Sequence, residues 1–326
     1  MVRVSGAGVC SSDVARAFER GAYHYPLVMG HEFAGRVVET SQDARRFKIE
    51  DRVAVFPLIP CQTCESCRNK DYVCCSRYDY FGSRRDGGFA EYVGVPEWNL
   101  IKLPAFVDDV TAAVMEPLAV AARALSRAGF LRTTAIPYKK AAILGAGFLG
   151  QAAARMLALF HPRLDLTIVD RHAWKLNLIR SKSIRTARIA TPAEWDRFLS
   201  RNASAFDFVL EAVGAPRTYR ASLALAKPKS TVVWMGNISG DLTLPKKDVS
   251  SILRKEIKIL GTWNSGFHPT LANDWTRVLA LLKRGLDVSA LISVKTPLAQ
   301  LPAVMQQLYR HKKGVEPRRW LKVVVA

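Results

Sequence analysis

At 326 residues the chain is too long for one ordinary core and suits two domains, each able to bury enough apolar surface to fold without disulfide staples. Lys and Arg outnumber Asp and Glu by 48 to 28, and the resulting charge of +20 attracts anions such as phosphorylated substrates, dinucleotides or nucleic acid. The opening MVRVSGAGVC has no apolar run resembling a secretory leader, and no run of about eighteen uncharged apolar residues follows, so a cytoplasmic protein with no membrane partner is expected.

From residue 1 to about 116, short strand-like runs (GRVVET, DRVAVFPLIP, FAEYVGV) are broken by Gly, Pro and clustered cysteines, which predicts an irregular, mostly β domain. Within it, residues 61–75 read CQTCESCRNKDYVCC and hold five of the six cysteines. In a reducing compartment, cysteines packed this densely bind metal rather than pair with one another. Cys61, Cys64 and Cys67 follow C-x2-C-x2-C, so their thiolates can converge on one tetrahedral ion, with the fourth sulfur from Cys74 or Cys75. Four thiolates close the coordination shell, so the cluster predicts a structural zinc that pins a lobe.

From 117 to 264 the texture changes. Val/Ile/Leu-rich runs (AAILGAG, LDLTIVD, FDFVLEAVG, STVVWMG, EIKILGTW) alternate with helical patterns such as QAAARMLALF, which predicts βαβ units around a doubly wound parallel sheet and an α/β protein. A strand at Ala141–Leu144 runs directly into Gly145-Ala146-Gly147-Phe148-Leu149-Gly150 and then a helix. This is GxGxxG in its meaningful context: Gly145 permits the tight turn, Gly147 lets backbone approach a pyrophosphate, and Gly150 permits close helix packing. The next strand, Leu166–Val169, ends in Asp170, where a carboxylate can accept bonds from both hydroxyls of an adenosine ribose. A 2′-phosphate would meet like charge there, which favours NAD over NADP, although the adjacent Arg171 tempers that preference. Residues 171–193 carry Arg171, Lys175, Arg180, Lys182, Arg185 and Arg188 with no acid, a pattern also expected of a solvated basic face. After 265 come two amphipathic helices, NDWTRVLALLKRG and PAVMQQLYRH, and a last strand in WLKVVVA.

Chemistry needs an open site, and its candidates lie apart in the sequence: Cys10 in VCSSD, His31 and Glu32 in MGHEFAG, and Glu116 in MEPLAV. One thiolate, one imidazole and one or two carboxylates give mixed ligation that leaves room for water or a substrate oxygen. No spacing joins them. Their order does, because GHEFAGRVVE, the cysteine lobe, DGGFAEY, MEPLAV and the late GxGxxG resemble, over practically the whole chain, the medium-chain, zinc-dependent alcohol and polyol dehydrogenases.

That resemblance implies a GroES-like catalytic domain formed by 1–116 with 265–326, and a Rossmann domain over 117–264. It implies Cys10, His31 and Glu32 as catalytic-zinc ligands and Glu116 as a further acidic position. Ser12 becomes the hydroxyl that begins a proton relay. Cys61, Cys64, Cys67 and Cys75 become the structural quartet, with Cys74 an extra thiol. Gly145, Gly147, Phe148, Leu149, Gly150, Asp170 and Arg171 would then contact NAD. The stretches GSRRDGGFAEY, HYP and ILRKE look most like the branch oxidising galactitol 1-phosphate, ahead of sorbitol-type enzymes on unphosphorylated polyols. If the substrate bears phosphate, Arg84, Arg85 or Arg254 can supply a guanidinium fork. A small-molecule polyol or sugar-phosphate substrate, no nucleic-acid partner and a homo-oligomer are expected. Two departures stand out. The family's extra strands before the segment matching Val2–Val4 are missing, which implies either a misassigned or truncated start or a small domain lacking part of its barrel, with an unpaired edge left behind. Lys70 also stands where relatives carry glycine. The rival readings are a zinc protein binding nucleic acid through its basic surface and a catalytically silent relative.

Overall fold

The computed structural model describes residues 1–131, 136–317 and 319–326. They form two compact units, Met1–Ala119 with Ser265–Ala326, and Val120–Asn264. Among the described residues no helix is long and apolar enough to cross a membrane.

The first unit contains strands β1 (Val2–Val9), β2 (Glu32–Val37), β3 (Arg52–Val55), β4 (Leu58–Ile59), β5 (Asp79–Tyr80), β6 (Tyr92–Val93) and β7 (Leu100–Lys102). Its helices are α1 (Ser11–Ala15), α2 (Glu65–Arg68), α3 (Asp109–Ala112) and α4 (Met115–Arg127), the last running on into the second unit. The second unit alternates β8 (Lys140–Leu144), α5 (Phe148–Phe160), β9 (Asp165–Asp170), α6 (Ala173–Leu176), β10 (Ile184–Arg188), α7 (Pro192–Asn202), β11 (Phe206–Glu211), α8 (Pro216–Leu225), β12 (Ala226–Trp234), α9 (Lys246–Lys255) and β13 (Lys258–Gly261). The chain then returns to the first unit with α10 (Asp274–Lys283), β14 (Val294–Thr296), α11 (Leu301–Lys312) and β15 (Val323–Val325).

In the second unit the strand order is β10-β9-β8-β11-β12-β13, all parallel. Counted from β8 this is 3-2-1-4-5-6, the Rossmann order. The strands can be read as apolar runs because both faces of such a sheet are covered: every residue of β11, FDFVLE, is buried. Ala142, Leu144, Val169, Val209 and Val232 form the centre of this core.

The first unit builds a seven-stranded sheet in the order β14-β15-β1-β2-β3-β7, with β6 also on β1. The sheet encloses Val2, Val9, Phe33, Val53, Val55, Phe81, Val323 and Val325. The expected unpaired edge does not fall on the opening strand. Val2 pairs with both Val37 and Val93, and Ala7 with both Phe33 and Val325, so β1 has partners on its two sides. The first and last strands of the chain supply each other's hydrogen bonds, a long-range pairing that no local pattern reveals.

The cysteine lobe is an excursion between β4 and β5, which pair antiparallel at its base as Leu58 with Tyr80 and Ile59 with Asp79. Lys70 sits in this lobe with φ 61, in the left-handed region where a Cβ is strained, and its N–H donates to Cys67 O at 3.0 Å. Glycine would suit this backbone, and the lysine adopts it without opening the turn. Lys70→Gly is therefore expected to stabilise the lobe by about 1 kcal/mol, the left-handed penalty relieved, without altering zinc content. Thermal melting with metal analysis checks this.

Candidate active site

β1 ends at Val9, and Cys10 turns the chain into α1 as its N-cap. Three residues on, Asp13 reaches back, and its Oδ2 accepts the Cys10 N–H at 2.9 Å. This is half of a capping box, placed by the CSSD spacing. The other oxygen, Oδ1, lies 3.2 Å from His31 Nδ1. A carboxylate only accepts, so Nδ1 carries the hydrogen, and in the neutral ring that a metal would require the lone pair is on Nε2. Asp13 is fully buried, and one carboxylate thus ties the Cys10 backbone to the ring of His31, 21 residues further along the sequence.

Glu32 follows His31 at the start of β2 and is 1% exposed. Its oxygens lie 2.8 and 2.7 Å from Lys322 Nζ, which also donates to Val9 O at 3.2 Å. The carboxylate lies against Gly8, where a Cβ would stand 2.1 Å from Glu32 Oε2. Glycine is therefore the side chain that leaves room for this ion pair.

The structure brings together Cys10, His31 and Glu32: one ligand atom from each lies within 4.8 Å of the other two. Glu116 is outside this trio but buried beside it, and burial, reinforced by Glu32 against the opposing pull of His31 and Lys322, pushes its carboxyl up to about 7. Burial lowers the His31 imidazole, but the Asp13 carboxylate and Cys10 outweigh that and hold it well above its usual range. Burial also opposes the charge on Lys322, and Glu32, Cys10 and Glu116 more than restore it. Tyr80 sits 5.9 Å from the His31 ring between centroids, its phenol raised by burial and by Glu116, Cys10, Glu32 and Asp13. Ser12 is exposed on the first turn of α1.

The donor set and the approach of its atoms fit a mixed-ligand zinc with room for substrate. In the lobe, Cys61, Cys64, Cys67 and Cys75 present sulfurs within 4.8 Å of one another, and none of the six cysteines is in a disulfide. Cys61 and Cys67 sulfurs are 3.9 Å apart, as are those of Cys64 and Cys75. A zinc tetrahedron with bonds of about 2.3 Å has edges of about 3.8 Å, so the quartet fits that ion. The N–H of Thr63, its hydroxyl and the N–H of Cys64 bring Cys61 down to about 5. The N–H groups of Cys67 and Ser76 bring Cys64 to about 7, whereas burial and neighbouring thiols push Cys67 up to about 12. Cys74 is exposed and outside the quartet.

In the second unit, Gly145 takes φ +104, and a Cβ there would meet Val213 Cγ2 at 2.8 Å. A Cβ on Gly150 would stand 1.9 Å from Gly145 O, so this helix turn packs directly on the loop. At Gly147, the N-cap of α5, a Cβ would meet nothing within 4 Å. Phe148 is buried and Leu149 half-buried on the first turn of α5. A helix start with open space at its cap suits a pyrophosphate. Asp170 closes β9: Oδ2 accepts from Ala146 N at 2.9 Å and lies 3.3 Å from Lys175 Nζ, while Oδ1 accepts from His172 N at 2.8 Å. The exposed Arg171 donates from Nε to His172 Nε2 at 2.9 Å.

Sequence reasoning missed Asp13, Tyr80, Lys175 and Lys322. Two of these left a signal: the capping-box spacing after Cys10, and the lone lysine interrupting the apolar run LKVVVA.

Comparison with known proteins agrees with this geometry. A family model of the alcohol dehydrogenase GroES-like domain matches residues 1–105, and one of zinc-binding dehydrogenases matches residues 149–284. The chain is 30% identical over 315 residues to galactitol 1-phosphate 5-dehydrogenase of Escherichia coli strain K12, covering 95% of this chain and 89% of that protein. It is also 30% identical over 303 residues to D-altritol 5-dehydrogenase of Agrobacterium fabrum, covering 92% and 86%. The crystal structure of galactitol-1-phosphate dehydrogenase from Escherichia coli superposes with a TM-score of 0.85 at 28% identity, over 99% of this chain and 91% of that one. On this evidence the chain belongs to the zinc-dependent medium-chain alcohol and polyol dehydrogenases.

Proposed function

We propose that the protein oxidises a secondary alcohol of a polyol phosphate resembling galactitol 1-phosphate to the ketone, with NAD as acceptor. The observation that carries the reading is the convergence of Cys10, His31 and Glu32 within 4.8 Å. When bound, zinc supplies a Lewis acid that lowers the pKa of the substrate hydroxyl, and NAD supplies the hydride acceptor.

The chain's own residues do the rest. Cys10 Sγ, His31 Nε2 and a carboxylate from Glu32, with Glu116 beside it, would hold the metal. Asp13 presets the first two by gripping the Cys10 N–H and the His31 ring. Lys322 balances the buried Glu32 charge. The exposed hydroxyl of Ser12, two residues beyond Cys10, takes the substrate proton and passes it to water. Gly145, Gly147, Phe148, Leu149 and Gly150 cradle the pyrophosphate, and Asp170 with Arg171 receives the adenosine end. The excess of cations in the chain suits a phosphorylated substrate and a dinucleotide alike. Identity to D-altritol 5-dehydrogenase equal to that to the phosphate enzyme favours, as a second reading, an unphosphorylated polyol.

Purified zinc-loaded protein with NAD is expected to generate NADH absorbance with galactitol 1-phosphate, more weakly with sorbitol and not with threonine. Absence of turnover with every polyol would remove the enzymatic reading. Cys10→Ser should abolish turnover and lose the catalytic zinc while the lobe keeps its own, as read by metal analysis; full activity in this variant would defeat the ligand assignment. Asp13→Asn preserves shape but weakens the acceptor shared by Cys10 and His31, and it is expected to lower zinc affinity or kcat/KM about 10–100-fold.

A further inference from the structure

Arg84 differs from the other two arginines that sequence reasoning offered for a phosphate. Arg85 Nε is engaged by Asp79 Oδ2 at 2.8 Å. Arg254 lies on α9 in the second unit, with its Nε donating to Ser250 Oγ at 3.1 Å. Arg84 is exposed and makes no salt bridge among the described residues. Its guanidinium carbon lies 4.4 Å from the Tyr78 ring centroid and 4.9 Å from that of Tyr23. Among the described residues, the one hydrogen bond from its guanidinium runs from NH1 to Tyr78 O at 3.4 Å. Aromatic faces hold the flat cation through its π surface and leave most of its N–H edge undirected. That edge is the part which forks onto a phosphate.

The position of Arg84 is as telling as its chemistry. Its N–H donates to Tyr80 O at 2.9 Å, in a tight turn closed by Gly82 N to Arg85 O at 2.8 Å. The Tyr78 ring lies 6.2 Å from that of Tyr80, which lies 5.9 Å from His31. A continuous aromatic row therefore leads from the catalytic trio to a guanidinium with free donors. His24 Nε2, 3.1 Å from Arg84 O, ties the Tyr23 segment to the same turn.

We propose that Arg84 recognises the phosphate at the end of the substrate remote from the reacting carbon and so determines the preference for a polyol phosphate over the bare polyol. This rests on the polyol-phosphate reading above. A residue that merely stapled Tyr23 to Tyr78 would affect both substrates alike.

The test compares galactitol 1-phosphate with galactitol, using the zinc-loaded enzyme and its Arg84→Gln, Arg84→Lys and Arg254→Gln variants, with calorimetric binding of galactitol 1-phosphate and inhibition by inorganic phosphate as independent readouts. Arg84→Gln is expected to raise KM and Kd for galactitol 1-phosphate about 10–100-fold, the worth of a charged hydrogen-bonded contact. It should fall on KM more than kcat, weaken inhibition by phosphate, and shrink the kcat/KM ratio between the two substrates. Arg84→Lys keeps the charge without the fork and should be intermediate, and Arg254→Gln should match the parent. Equal losses for both substrates, or an undiminished ratio in Arg84→Gln, would overturn the role of Arg84 while leaving the polyol-phosphate reading intact. A parent enzyme with no preference for galactitol 1-phosphate would overturn that reading itself. Should Arg84→Gln not fold, an Arg84→Lys protein with unaltered KM refutes the fork.

Discussion

Lys322 Nζ contacts both oxygens of Glu32 and the carbonyl of Val9, and neither charged partner reaches water to any extent, at 6% and 1% exposure. The contact fastens the end of β1, the start of β2 and the approach to β15 at one point. Removing either partner would strand a buried charge, a loss of about 3–5 kcal/mol. Because Cys10 follows Val9 directly and His31 precedes Glu32, the positions of both residues are tied to this ion pair. The convergence of Cys10, His31 and Glu32 is therefore a property of the sheet rather than of the loops that carry them.

The two groups of possible zinc ligands show how environment sorts similar chemistry. In the lobe, backbone N–H groups point at sulfur and draw Cys61 and Cys64 toward the thiolate. Four like ligands then leave no position for a reactant. Around Cys10 the donors are mixed, with a thiol, an imidazole and a carboxylate within 4.8 Å of one another and the Tyr80 ring 5.9 Å from that of His31. Four like ligands close a coordination shell, and three unlike ones do not.

Legibility in the sequence followed locality. The Rossmann unit was readable because five of its six strands carry contiguous apolar runs and the loop from Gly145 to Gly150 sits between one strand and one helix; β10, IRTAR, is largely exposed and was hidden in the basic stretch. The cysteine quartet was readable because its members fall within fifteen residues. Cys10, His31 and Glu32 were joined only by resemblance, since strand pairing between β1 and β2 is what brings them together. Asp13 and Lys322 each left a local mark, the cap spacing after Cys10 and a lysine within an apolar run, but their distant partners His31 and Glu32 are set by the fold and have no spacing rule along the chain. The pairing of β1 with β15 and β6 likewise follows from sheet closure, and it is why the expected bare edge is absent from the opening strand. The left-handed turn at Lys70 shows the limit of residue preference, because the lobe imposes a backbone its side chain disfavours.

The seating of β15 between β14 and β1 also orders the events of biosynthesis. The second unit is contiguous in the chain and its last strand is synthesised before residue 265. The first unit must instead keep one side of the end of β1 waiting for a partner some three hundred residues away. Long-range closure of this kind is slow and leaves apolar strand exposed in the interim. The Lys322 contact that holds Glu32 consequently forms last, after the second unit has its full set of strands.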